Sequence, residues 1–456
     1  MFLKGFRHFF RSPKLVREKS KGESYYLAMQ KKSSLVNSWK NEIQFGAESL
    51  NRVSFLRENG DFIKSSVSHP STRFIFFENT NPLIIKKRSK ELVKLTNGDD
   101  QLRGDSGVVK GLNNHEEWRK ALDQWSNENL EHSSYIRTGE KPTLVFLGLE
   151  DQSVGLNIGQ LKSEEDGASS EEKYLDYQGR YQGIPYYAVD VTHSPLLKEI
   201  VAEHMESNGS VTKDDCIFSH SRKHYLDFFP LDAALYSHGK MFIDWLDRNR
   251  FCGGCGSPVV PIHAGAKLKC TNDSTEELTK TLKCPVRNAR VSNLSFPRTD
   301  CVVITAIANR DHSKILLSLN KRYASANFYS CTAGFMEPAE TVEVATKREL
   351  WEETGIITSG IRMVMTQPWP FPANLMIGCL AIVDFNGVNE VIDLGHDREI
   401  ADARWFDASF VRTLLETGGD ADLNPEGIVV PPAGSIAHHL IKLACNPSEN
   451  VTVPNL

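Results

Sequence analysis

A multidomain α+β chain is what the sequence predicts, on three observations: its length, short β-rich apolar runs interleaved with helical signals, and a cysteine cluster that divides it. With 456 residues there is room for about three domains of ordinary size. Arg73-Phe74-Ile75-Phe76-Phe77, Thr143-Leu144-Val145-Phe146-Leu147 and Tyr186-Tyr187-Ala188-Val189-Asp190 are short, apolar and rich in β-formers, so they read as strands. Residues 233–249 read as a helix leading into the cysteines. The boundaries that follow are 1–45 for a basic extension, 46–247 for an N-terminal α+β domain, 248–292 for a small ribbon, 293–446 for a C-terminal α/β domain and 447–456 for a tail.

The composition, 40% hydrophobic and 24% charged, is that of a globular chain. It contains no apolar run long enough to span a bilayer, so no membrane partner is expected. A formal charge of −5 argues against a general polyanion-binding surface, while leaving room for a local basic patch. Nine cysteines, an odd number with four clustered at metal-like spacing, suit a reducing compartment better than a disulfide framework. Polar stretches at 97–117 and 157–173 read as mobile surface insertions.

The two ends carry different addresses. The first seventeen residues hold five Lys or Arg and no acid, with Phe2, Phe6, Phe9 and Phe10 at helical spacing. They read as a mitochondrial presequence, as a basic tail, or as an extension dispensable if translation starts at Met29. The last three residues, Pro454-Asn455-Leu456, share only their final Leu with the Ser-Lys-Leu peroxisomal signal.

In the ribbon, Cys252 and Cys255 form a CxxC knuckle, followed after fourteen intervening residues by Cys270 and after thirteen more by Cys284. Four thiolates make a closed tetrahedral Zn²⁺ site of structural type. A redox CxxC and unligated buried thiols are the alternatives, and the wide last gap makes Cys284 the least regular ligand. Polar residues 272–280 read as an insertion into the second knuckle.

The chemistry concentrates in residues 334–356, GFMEPAETVEVATKRELWEETGI. Thr341 is placed as an N-cap, Glu343 falls in the first turn and Gly355 stands at the C-terminal cap position, which predicts a helix of about three to four turns. Glu349, Glu352 and Glu353 then lie at i, i+3 and i+4 on one face. Like charges so spaced destabilise a helix by roughly 0.2–0.5 kcal/mol per pair, which a bound cation offsets. Carboxylate oxygens select hard Mg²⁺ or Mn²⁺, ions that stabilise charge developing on a diphosphate and activate an attacking water.

With Gly334, Glu340, Arg348, Glu349, Glu352, Glu353 and Gly355 in register, the stretch resembles the box of Nudix hydrolases. The resemblance implies a C-terminal α/β/α sandwich with a mixed sheet, and a Glu340–Arg348 pair that braces the loop against the helix. Shortly downstream stands Gln367-Pro368-Trp369-Pro370-Phe371-Pro372-Ala373-Asn374. Its alternate prolines are expected to hold an extended backbone that presents Trp369 and Phe371 as walls for a base; an edge strand packed for stability alone is the other reading. Coupled to the box, this motif resembles the NADH pyrophosphatase subfamily, yeast type, from about Leu50-Asn51-Arg52 to Leu443.

That resemblance implies further roles. Ala333 offers its carbonyl to a metal beside Glu349 and Glu353, and Glu399 completes the metal site. Glu352 ligates a second ion or orients water, the identity of the base being open. Phe335 and Phe296, the latter donated across a homodimer interface, sandwich nicotinamide, and Ala437 makes a backbone contact. Gln367 through Asn374 recognise the dinucleotide. Thr366 and Asn374 stand where the family usually has Ser, and Cys301 where it has Pro.

The reaction implied is hydrolysis of the diphosphate of NADH, and of NAD⁺ or related dinucleotides, to reduced NMN (or NMN) and AMP. Removal of NAD caps from RNA 5′ ends, hydrolysis of ADP-ribose or diadenosine polyphosphates, and an inactive zinc-ribbon/Nudix binding module are the rival readings. Animal members of the subfamily end in a similar tripeptide. The expected localisation is therefore the peroxisome, through an import receptor, together with the cytoplasm; the mitochondrion is the alternative.

Overall fold

In the first sheet, alternate residues of each strand face opposite cores, as strands covered on both sides must. The computed structural model describes residues 43–47, 49–99, 111–131, 143–158, 173–207, 215–272, 284–286, 297–336, 340–395, 399–417 and 424–446. All of them fall in one compact unit that begins at Asn41. Strands β1 (Arg73–Glu78), β2 (Asn81–Ile85), β3 (Leu95–Thr96), β4 (Thr143–Glu150), β5 (Leu175–Tyr177), β6 (Tyr181–Asp190) and β7 (Cys216–Phe218) make a seven-stranded sheet in the order β4-β6-β1-β2-β7, with β3 on β1 and β5 on β6. The β1–β6 pair is parallel and sets Phe74 beside Tyr187 and Phe76 beside Val189. Those four residues face helices α1 (Gly60–Ser68), α2 (Glu116–Glu131) and α3 (Pro195–Ser207). Ile75, Phe77 and Ala188 point the other way, beyond the short helix α4 (Arg222–Asp227), onto α5 (Pro230–Arg248) and the ribbon hairpin of β8 (Val259–Ile262) and β9 (Lys267–Cys270).

The second sheet repeats this logic. Strands β10 (Asp300–Asn309), β11 (Lys314–Asn320), β12 (Thr332–Phe335), β13 (Gly360–Trp369), β14 (Asn374–Val383) and β15 (Ile400–Asp407) follow the order β13-β14-β10-β11-β15, with β12 on β10. Only β10–β14 is parallel, so the sheet is mixed. Ile307, Leu316 and Ala381 pack with Leu350 and Ile356 of helix α6 (Val342–Thr354) and the turn after it. On the opposite face Ile304, Ala306 and Leu317 meet α7 (Ala408–Thr417) and α8 (Ile436–Ala444). This is the α/β/α sandwich that the sequence implies. Burying Leu350 contributes about 1.5–3 kcal/mol and anchors α6 to the sheet.

The two sheets are joined through a short segment. Gln367 of β13 is fully buried, and its amide nitrogen donates to the carbonyls of Gln44 (2.8 Å) and Gly434 (3.0 Å). Its carbonyl accepts from the Ile436 amide at 2.8 Å. Phe45 is seated between the domains, 5.9 Å edge-on to both Trp369 and Phe371 and 6.2 Å from Tyr236 of α5.

Three expectations change. The extension expected over 1–45 ends earlier, because Ile43 and Phe45 are buried in the fold. The polar stretch 97–117 is structural at both ends: Asn97 is buried, donates to the Val67 carbonyl at 2.8 Å and accepts from Trp118 Nε1 at 2.9 Å, and α2 starts at Glu116. The helix expected from 233 begins at Pro230, with the proline in its first turn. The presequence, the C-terminal tripeptide and most of both polar insertions lie outside the described residues. No described helix is long and apolar enough to cross a membrane.

Replacing Gln367 by Leu removes the side-chain partner of the Gln44 carbonyl and of the Ile436 amide, while the Gly434 carbonyl keeps the Gln44 amide at 3.0 Å. Urea unfolding of the purified chain is expected to show a loss of about 2–4 kcal/mol.

Candidate active site and zinc centre

Helix α6 forms where its local signals say it should. Thr341 caps it by accepting from the Val344 amide, and Gly355, at φ 73°, closes it with its amide on the Trp351 carbonyl. Arg348 then organises the acidic face. Its Nε and Nη2 hold Glu340 through two bonds of 2.7 and 2.9 Å, and Nη1 reaches Glu349 (2.7 Å) and Glu352 (3.0 Å). Nη2 also donates to the Phe335 carbonyl at 2.8 Å, tying β12 to the helix. Arg348 thus pairs with three carboxylates, those of Glu340, Glu349 and Glu352, and Glu353 follows next to Glu352 on the helix.

Burial pushes the Glu349 carboxyl above its ordinary range, and Arg348 partly offsets that. Glu353 is buried and Glu352 is partly exposed. A methyl group built on Gly334 would lie 2.0–2.2 Å from the Glu349 carboxylate, so that carboxylate rests directly on the Ala333–Gly334 backbone. A side chain at this position would have to displace the carboxylate. The donors gathered here are hard oxygens carrying excess negative charge, a set that fits a divalent cation of the Mg²⁺ or Mn²⁺ type. Glu399 is exposed at the entrance to β15, a strand packed against α6, and its carbonyl accepts from the Lys321 amide at 2.9 Å.

The ribbon brings all four predicted cysteines together. Their sulfurs lie within 4.8 Å of one another, with Cys252 to Cys284 at 3.6 Å and Cys255 to Cys270 at 3.5 Å. Tetrahedral Zn²⁺ with bonds of about 2.3 Å needs sulfurs about 3.8 Å apart, so the cluster has the size zinc requires. The Asn272 amide donates to Cys270 Sγ at 3.4 Å, as thiolate ligands favour. Cys284 belongs to the cluster despite the wide sequence gap.

The proline motif departs from the extended backbone expected of it. Gln367, Pro368 and Trp369 lie in β13, but Pro370, Phe371, Pro372 and Ala373 form the turn of a hairpin in which Trp369 pairs with Asn374. The Phe371 amide folds back onto the Trp369 carbonyl at 2.9 Å. Trp369 and Phe371 meet edge to face at 5.2 Å; Tyr225 stacks on Phe371 at 6.1 Å, and Arg222 lies 5.2 Å over its ring. The motif is thus seated against the N-terminal domain, with the Gln367 amide engaged entirely by backbone. Asn374 is buried, and its Oδ1 has no hydrogen-bond partner among the described residues. Lys240 approaches the Pro372 carbonyl at 3.5 Å.

Sequence reasoning missed Phe45, Arg222, Tyr225 and Lys240, which lie far away in the chain and carry no local signal. Phe335 is exposed on β12, and Ala437 is the second residue of α8, where helix amides are not consumed by the preceding turn. Phe296 lies outside the described residues.

The NUDIX domain profile matches residues 297–423, and the NADH pyrophosphatase zinc ribbon domain profile matches residues 247–277. A protein of Saccharomyces cerevisiae named NAD-capped RNA hydrolase is 39% identical over 89% of this chain and 96% of its own length. Proteins of the same name from Homo sapiens and Schizosaccharomyces pombe are 31% and 30% identical, over 88% and 87% of this chain and 73% and 91% of their own lengths.

Two outcomes are expected. Gly334→Ala displaces the Glu349 carboxylate and should lower turnover by about 10²-fold with an unchanged circular dichroism spectrum. Cys252→Ser should lose bound zinc, measured by atomic absorption, and fall in melting temperature together.

Proposed function

The chain belongs to the Nudix hydrolases that carry the NADH pyrophosphatase zinc ribbon, and from that premise we propose that it hydrolyses the diphosphate of an NAD group. The observation that carries this reading is the Glu349 carboxylate resting on the Ala333–Gly334 backbone beside Glu352 and Glu353, on a helix locked by Arg348. Glu349 and Glu353, the Ala333 carbonyl and Glu399 are the residues to hold a divalent ion. Such an ion, when bound, withdraws charge from the phosphoryl oxygens and acidifies water.

Glu352, the more exposed of the helix carboxylates, is positioned to orient the attacking water or take its proton. Trp369, Phe371 and Asn374 shape one side of the substrate site, the last through its buried acceptor. Phe335, with Phe296 from a second copy of the chain in a homodimer, closes on the nicotinamide.

The NAD group is either free, giving reduced NMN or NMN plus AMP, or attached to an RNA 5′ end, giving NMN and a 5′-monophosphate RNA. The names of the relatives favour the RNA-linked form. In this reading zinc holds the ribbon folded and takes no part in the chemistry. Import into the peroxisome through Pro454-Asn455-Leu456 completes it, and deletion of that tripeptide should leave a reporter fusion cytoplasmic.

The test is kcat/KM for NADH, NAD⁺, NAD-capped RNA and ADP-ribose side by side, with Mg²⁺ and then Mn²⁺. Substrates with an NAD group should be cleaved faster than ADP-ribose, and the ratio of capped RNA to NADH assigns the main role. Preference for ADP-ribose would overturn the proposed specificity, and no cleavage of any substrate would overturn the activity.

A further inference from the structure

The turn of the proline hairpin, residues 370–373, is held by groups from the N-terminal domain. On α5, Tyr236 and Lys240 are one turn apart on one face. Tyr236 lies 6.2 Å from Phe45, while Lys240 Nζ lies 5.9 Å from the centre of the Phe371 ring and donates to the Pro372 carbonyl at 3.5 Å. Arg222, the first residue of α4, brings its guanidinium to 5.2 Å from the centre of the same ring, on which Tyr225 stacks at 6.1 Å. The end of α4 is itself fixed: Gln44 Nε2 donates to the carbonyls of Leu226 (3.1 Å) and Phe228 (3.0 Å), and the Gln44 carbonyl accepts from Gln367. Two cations and an aromatic ring from one domain therefore converge on one turn of the other.

Lys240 is the unexpected member of this group, since it is buried. Burial pulls the pKa of its ammonium down from the ordinary lysine value, Asp244 one turn further on acts the other way, and Arg248 and Arg222 add to the lowering. Asp244 also pairs with Arg248 at 2.9 Å. A buried ammonium is costly, and an apolar side chain of similar length commonly serves packing as well or better. Packing alone does not account for a lysine here, whereas a cation against Phe371 and the Pro372 carbonyl fixes where the turn lies. The turn passes that position on: the Ala373 carbonyl accepts from the Asp300 amide at 3.0 Å, and Asn374 is in register with both Trp369 and Asp300.

From this geometry we infer that Lys240 and Arg222 are positioning residues for the substrate: they clamp Phe371 and the Pro372 carbonyl, and so set the wall formed by Trp369, Phe371 and Asn374. The inference rests on the proposed use of that wall to bind an NAD group. Gln367 fixes the strand end of the hairpin, and the two cations fix its turn. The α6 carboxylates are placed separately, by Arg348. Loss of the clamp therefore weakens substrate binding and spares the chemical step, which raises KM and leaves kcat in place.

The test compares the full-length wild type with Lys240→Met, Lys240→Arg and Arg222→Gln in melting temperature, in kcat and KM for NADH with Mg²⁺, and in hydrogen exchange of the peptide spanning 369–376. Lys240→Met should melt at or above the wild type, since an apolar side chain replaces a buried charge. Its KM should nevertheless rise about tenfold with kcat within about twofold, and exchange in the peptide should quicken. Lys240→Arg should restore most of the affinity, and Arg222→Gln should raise KM by about threefold. An unchanged KM in folded Lys240→Met, or a Lys240→Arg protein as impaired as Lys240→Met, overturns the inference. Arg222 is exposed, so an unchanged KM in Arg222→Gln overturns it even where Lys240→Met fails to fold. A wild type that cleaves no NAD substrate defeats the proposed reaction and not the clamp, which hydrogen exchange then decides: faster exchange in the variants upholds it, and equal exchange overturns it.

Discussion

Arg348 is the interaction on which the rest of the carboxylate site depends. Three glutamates on one helix face repel one another, and an isolated helix would relieve this by fraying or by turning the side chains outward. Here one guanidinium reaches Glu340, Glu349, Glu352 and the Phe335 carbonyl together. It fixes the loop before the helix and the strand before the loop, and in that frame Glu349 can lie flat on Gly334. One guanidinium shared among three carboxylates leaves those three with less than one positive charge each from Arg348.

The constraint extends beyond the second sheet. Gln367 ties β13 to the Gln44 carbonyl and to the start of α8, and Phe45 fills the space between α5 and the Trp369–Phe371 hairpin. The proline motif is therefore a joint between the two sheets.

What was legible in the sequence follows from range. The glutamate face, the Thr341 cap, the Gly355 terminus and the Glu340–Arg348 bridge arise within one helix and its loop, where the helical period dictates who meets whom. The CxxC knuckle was legible for the same reason. Cys284 was less so, since its approach to Cys252 depends on how a long insertion is accommodated. The hairpin at Pro370–Ala373 was misjudged as extended, because the register that pairs Trp369 with Asn374 comes from β14 and not from the prolines. Burial of Ile43 and Phe45 could not be read locally, being a product of tertiary packing.

The role we propose for these carboxylates is a metal-assisted attack on a diphosphate. Its most direct test is the rate of reduced NMN and AMP formation from NADH across a titration of Mg²⁺ or Mn²⁺, in the wild type and in Glu353→Gln. Saturable dependence on the ion is expected in the wild type, and a fall of several orders of magnitude in a Glu353→Gln protein that melts normally. Turnover without added metal after chelation that spares the zinc, or full activity in Glu353→Gln, would contradict it.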